Sequence, residues 1–125
     1  RSRFISLPVW EEREKLRFYV LILANELKPF LEYQKKVIER EFPYSLEKAG
    51  CEIERLTIGE KYMELVFLIP VRADIKQALD KVINECNQYG NFLSQVFTIT
   101  NVKELSAEEV EEIIKKNGGN SQASH

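Results

Sequence analysis

Tyr62 and Glu64 stand two apart in the run Tyr62-Met63-Glu64-Leu65-Val66-Phe67-Leu68-Ile69-Pro70. In an extended segment that spacing puts both side chains on one face. A phenol and a carboxylate so placed can share a hydrogen bond, move a proton or take part in a cation site. They are equally an ordinary pair for the wetter face of a half-exposed strand, with no chemistry at all.

Few other residues offer chemistry. His125 is the single histidine and the last residue, in the polar stretch "NGGNSQASH". Such a stretch predicts disorder over residues 118–125. One terminal histidine cannot serve a buried metal site or a Ser-His or Cys-His pair. Cys51 and Cys86 fit no metal spacing, which predicts two buried, reduced thiols. Tyr89 falls at the end of an apolar helical stripe, which predicts a buried packing tyrosine with a bonded hydroxyl in preference to a nucleophile. The chain has no glycine-rich phosphate loop, nucleophile elbow or zinc spacing. No catalytic set, metal set or cofactor is read from it.

The charge pattern also excludes easy answers. Eighteen Lys and Arg against 20 Asp and Glu leave a net charge of −2, so no global basic excess points to a phosphate-tracking surface. Lys28, Lys103, Lys115 and Lys116 could still form a modest basic patch. Glu104, Glu108, Glu109, Glu111 and Glu112 interleave with them, and a solvated mixed-charge surface fits as well. The order of "EEVEEIIKK", acids early and bases late, suits a helix dipole without any ligand.

These residues need elements to hold them. At 125 residues, 44% apolar, the chain suits one domain, expected over residues 16–117 after a lead-in of residues 1–15 anchored by Trp10. Its longest apolar runs are too short for a transmembrane helix, and no membrane role is expected. A soluble cytoplasmic protein is the expectation.

"LRFYVLILA", residues 16–24, is apolar without a polar break and predicts a central strand buried on both faces; a long helix over residues 11–41 is the rival. "FLEYQKKVIEREF" predicts a helix that Pro43 interrupts, with a second short turn closing at Gly50. From Cys51 the period becomes two, although the alternation slips near Arg55. Gly59, Glu60 and Lys61 make a hairpin turn into the Tyr62 strand. Asp74 opens an amphipathic helix along Ile75, Ala78, Leu79, Val82, Ile83 and Cys86. "FLSQVFTIT" is a fourth strand, and Ser106 with Glu109 forms a capping box for a last helix through Lys116.

The order β-α-β-β-α-β, then α, is an α+β, ferredoxin-like sandwich: an antiparallel sheet with helices on one face. With "KPFL", "AGCEIERL", "MELVFLIPV", "FLSQVFTITNV" and "SAEEVEEIIKKN" in this order, the chain resembles the insertion sequence 200/605 family, the single-tyrosine transposases of the HUH class. The resemblance covers roughly residues 16–117. It implies a metal held by a His-hydrophobic-His strand motif, a tyrosine nucleophile on the last helix, single-stranded DNA as substrate and a homodimer joined through its sheets. At the matching positions this sequence has Tyr62, Glu64 and Ile113. A phenol is a poor Mg²⁺ ligand, and Ile113 has no attacking atom. The resemblance therefore implies a catalytically degenerate relative that keeps DNA binding and self-association, with Lys28, Lys103, Lys115 and Lys116 as candidate DNA contacts. A non-catalytic oligomeric interaction module without a nucleic-acid role remains the alternative.

Overall fold

Ten residues without a helix breaker, Lys15–Ala24, form strand β1 and not a helix. The alternation of an extended chain splits them between two cores: Val20, Ile22 and Ala24 enter one, Tyr19, Leu21 and Leu23 the other. A helix would have pointed only one stripe of this run inward. The computed structural model that places these residues describes positions 15–70, 73–101 and 104–123, with side chains through 117. The expected lead-in with Trp10 falls outside the described residues.

A short 3₁₀ turn, Asn25–Leu27, leads to helix α1, Glu32–Lys48. The expected break at Pro43 does not occur, and one helix runs through it. Proline costs its host helix a hydrogen bond and a ring clash. Val37, Ile38, Phe42, Ser45 and Leu46 are buried on both sides of it, and that shared burial holds the two halves on one axis. Gly50 follows at φ 89°, where its amide reaches the Glu47 carbonyl (3.0 Å) and turns the chain.

Strands β2, Glu52–Ile58, and β3, Tyr62–Pro70, form the expected hairpin. The slip near Arg55 is a β-bulge, because Ile53 pairs with Phe67 while Arg55 pairs with Val66. Helix α2, Ile75–Asn87, is capped by Asp74, whose carboxylate accepts the Gln77 amide at 3.2 Å. It stops before Tyr89, so that ring leaves the buried stripe. Contrary to expectation Tyr89 is half exposed, with Arg40 5.2 Å above its ring. Strand β4, Leu93–Asn101, completes the sheet, and helix α3, Ala107–Ala123, follows. The α3 backbone runs on past Lys116 into the segment whose composition predicts disorder.

All strand pairs are antiparallel, in the order β2-β3-β1-β4, which makes β1 and β3 the interior strands. The two crossover helices lie on one face: Ile38, Phe42 and Leu46 of α1 and Leu79, Val82 and Ile83 of α2 share a core with Met63, Leu65 and Phe67. This is the ferredoxin-like α+β arrangement. Cys51 and Cys86 are free and buried in that core, where burial pushes the Cys86 thiol up to about 12. Helix α3 covers part of the opposite face through Val110, Ile113 and Ile114. Among the described residues no helix is long and apolar enough to cross a membrane.

Candidate functional site

The face under α3 carries the Tyr62 and Glu64 side chains. Strand alternation sends Met63 and Leu65 into the core of α1 and α2, and Tyr62, Glu64 and Val66 to the other side. Tyr62 is seated against Gly59: a Cβ there would lie 2.5 Å from the tyrosine ring. The missing side chain at the hairpin turn therefore allows the ring its position.

Glu64 is tied to β1. The Tyr19 hydroxyl donates to its Oε2, a charge-assisted bond between diagonal neighbours of the antiparallel pair. Burial first, and the Glu64 carboxylate second, hold the Tyr19 phenol protonated well above the ordinary tyrosine range. Glu64 Oε1 accepts no hydrogen bond from the described residues.

Around this pair the cations are already matched. Lys15 faces Glu52 (3.8 Å), Arg17 holds Glu54 through two bonds (2.7 and 3.1 Å), and Arg55 pairs with Glu104. The bulge places Arg55 opposite Val66, on the α3 side of β2, where it meets the segment leading into α3. Ser106 and Glu109 then start that helix by the expected reciprocal cap, with bonds of 2.8 and 3.2 Å.

Between β2, β3 and α3 lies a cavity of about 350 Å³. Tyr62, Glu64, Arg55, Glu104 and Glu111 supply its polar groups, and Leu105, Val110 and Ile114 its apolar wall. Ile113 packs in the same apolar cluster as Tyr62, although Ile114 is the residue that lines the cavity. The three positions singled out by sequence thus lie on one side of the sheet. The Tyr62–Glu64 pair does not fit a divalent metal: its one carboxylate already accepts a hydroxyl and stands beside a phenol, and Glu104 is engaged by Arg55. No group of three or more His, Cys, Asp or Glu side chains among the described residues is arranged to hold one.

The lysines are less united. Lys28 is exposed and 3.2 Å from Glu26, in the turn where Glu26 and Leu27 have positive φ. Leu27 packs against the same buried cluster as Ile113 and Ile114, so this turn sits on the side of the sheet that α3, with its exposed Lys115 and Lys116, covers. Lys103 lies outside the described residues. Sequence reasoning missed Tyr19, Arg55 and Glu104 as members of the site. A phenol inside an aliphatic strand does signal a need for a hydrogen-bond partner, but its identity depends on strand register.

No family model matches the chain, and no curated protein matches it. Several solved structures share its architecture, among them two transposase structures. One is a REP-associated tyrosine transposase bound to a REP hairpin, at 10% identity and a TM-score of 0.60 over 72% of this chain. The chain spans only 58% of that protein. The other, from Deinococcus radiodurans R1, is described as a candidate transposase; it is 13% identical, with a TM-score of 0.67 over 82% of this chain and 90% of its own. The resemblance read from element order is thus matched in three dimensions: this chain has the fold of these transposase structures.

Proposed function

We propose that the chain is a non-catalytic, transposase-like domain of the single-tyrosine class, cytoplasmic, which binds single-stranded or hairpin DNA and self-associates. The observation that carries this reading is the grouping of Tyr62 and Glu64, on the sheet face beneath α3, with Ile113 of α3, in a fold shared with transposase structures. In the resembled family those positions hold the metal ligands and the nucleophile; here Glu64 could supply one oxygen ligand, Tyr62 is a poor one and Ile113 has no attacking atom. DNA as partner is supported by the hairpin carried by one structural neighbour. Lys28, Lys115 and Lys116, with Lys103, are the candidate backbone contacts.

Self-association is supported by the strand edges. β2 carries Glu52, Glu54 and Arg55, charges that discourage pairing, whereas β4 reads "LSQVFTITN" without a single charge. Among the described residues the outer edge of β4 pairs with no strand, which leaves a nine-residue edge for a second copy.

The test is a gel-shift titration with hairpin and linear single-stranded DNA at low and high salt. Binding that weakens steeply with salt is expected. No binding at low salt, or binding indifferent to salt, overturns the reading. It would favour an oligomeric interaction module without nucleic acid, the reading to which the cavity's three carboxylates, Glu64, Glu104 and Glu111, against one guanidinium lend weight.

A further inference from the structure

The cavity between β2, β3 and α3 has a chemical character of its own. Its charged lining is Arg55 against Glu64, Glu104 and Glu111, and Arg55 is already bonded to Glu104. A phosphate entering here would meet net negative charge. A group that donates hydrogen bonds would meet Glu64, a half-buried carboxylate with no cation partner among the described residues. No side-chain polar atom among the described residues is both buried and unbonded, so the free oxygen of Glu64 is accessible, and two N–H donors in the cavity could reach this carboxylate.

The lining narrows the class further. Tyr62 contributes an aromatic ring whose position Gly59 permits, and Val110 and Ile114 supply apolar surface. A planar heterocycle is accommodated by such walls. At about 350 Å³ the space lies at the small end of ligand sites, suited to one base more than to a whole nucleotide.

Resting on the DNA reading above, we propose that this cavity takes an unpaired guanine, presented with its Watson–Crick edge to Glu64. Guanine offers N1–H and N2–H side by side, a match for a carboxylate. Oε1 is open to one donor, and Oε2 keeps a lone pair beside the bond from Tyr19. Adenine and cytosine would set a ring-nitrogen acceptor beside one amino donor, and thymine two carbonyl oxygens around its one N3–H. Each of these bases thus combines a single bond to Glu64 with a repulsive acceptor contact, so the pocket discriminates as well as binds. The phosphates stay outside, with the lysines.

The experiment compares dT oligonucleotides carrying one central dG, dA, dC or inosine, by fluorescence anisotropy at low salt, with the whole chain. The dG oligonucleotide is expected to bind about tenfold more tightly than the dA and dC ones. Inosine, which lacks the N2 amino group, should lose most of that preference without any change to the protein. Glu64→Gln, which puts an amide donor at the pocket, should bring the affinity for the dG oligonucleotide down to that for the dA and dC ones. Equal affinity for all four oligonucleotides overturns the guanine proposal and leaves the DNA reading standing. Failure of every oligonucleotide to bind overturns both.

Discussion

The Tyr19 hydroxyl, from the interior of β1, donates to the Glu64 carboxylate on β3, and this one bond joins a buried phenol to the floor of the cavity. Tyr19 is 1% exposed, so its hydroxyl has little access to water and depends on this acceptor. Tyr19→Phe should lower stability by about 1 kcal/mol, the net worth of one such bond at a half-exposed acceptor. The midpoint of urea denaturation reads this, with the slope unchanged.

The same pair sets an alkaline limit. The Tyr19 phenol is held protonated in the folded state above its ordinary value of 10.0. Below pH 10 both states keep the proton and the contribution is fully present. As pH rises beyond it, the unfolded chain loses the proton first, so stability falls. Alkaline denaturation should therefore be less steep in Tyr19→Phe, and phenolate absorbance should reveal one tyrosine that titrates only on unfolding.

Gly59→Ala tests the seating of Tyr62. The added methyl would stand 2.5 Å from the ring, and the ring or the hairpin turn must move. A loss of about 1–2 kcal/mol is expected, the usual range for overpacking at a partly exposed site. In Tyr62→Ala the same glycine change should cost much less, and an equal cost in both backgrounds would rule out the ring as the cause.

Pro43→Ala addresses the helix that runs through a proline. Restoring the amide and removing the ring clash should raise stability by about 2 kcal/mol, after allowing for the freer unfolded chain. Thermal denaturation by circular dichroism measures it. A decrease would mean that the Pro43 ring, which is partly buried, packs better than a methyl.

Val96→Lys probes the β4 edge. Val96 is 76% exposed, so the charge should leave the monomer intact. On the proposed pairing through β4, it should shift sedimentation velocity from dimer to monomer, because a lysine on an edge strand opposes pairing with another. Association unchanged by the substitution would move the contact away from β4.

Much of this fold is legible in the residues. An unbroken apolar run could only be an interior strand or a buried helix, and the turn at Gly59 and the caps at Asp74 and Ser106 fixed the elements around it. The slip near Arg55 was visible as two polar residues where the alternation allowed one, and it became the bulge. Pro43 misled because the local rule against proline is weaker than the burial of Phe42 and Leu46 beside it. Tyr89 misled because the helical period continued in sequence after the helix had stopped.

The sequence by itself determined which side chains share one face of a strand or helix, since a period of two or 3.6 is a property of the local chain: Tyr62 with Glu64 on β3, and Val110 with Ile113 and Ile114 on α3. Only the tertiary structure decided what those faces meet. Strand register brought Tyr19 to Glu64, the bulge brought Arg55 to Glu104, and the side on which α3 packs enclosed the cavity. Such contacts join residues far apart in the chain, and their energies are settled by how layers pack, which no local pattern encodes.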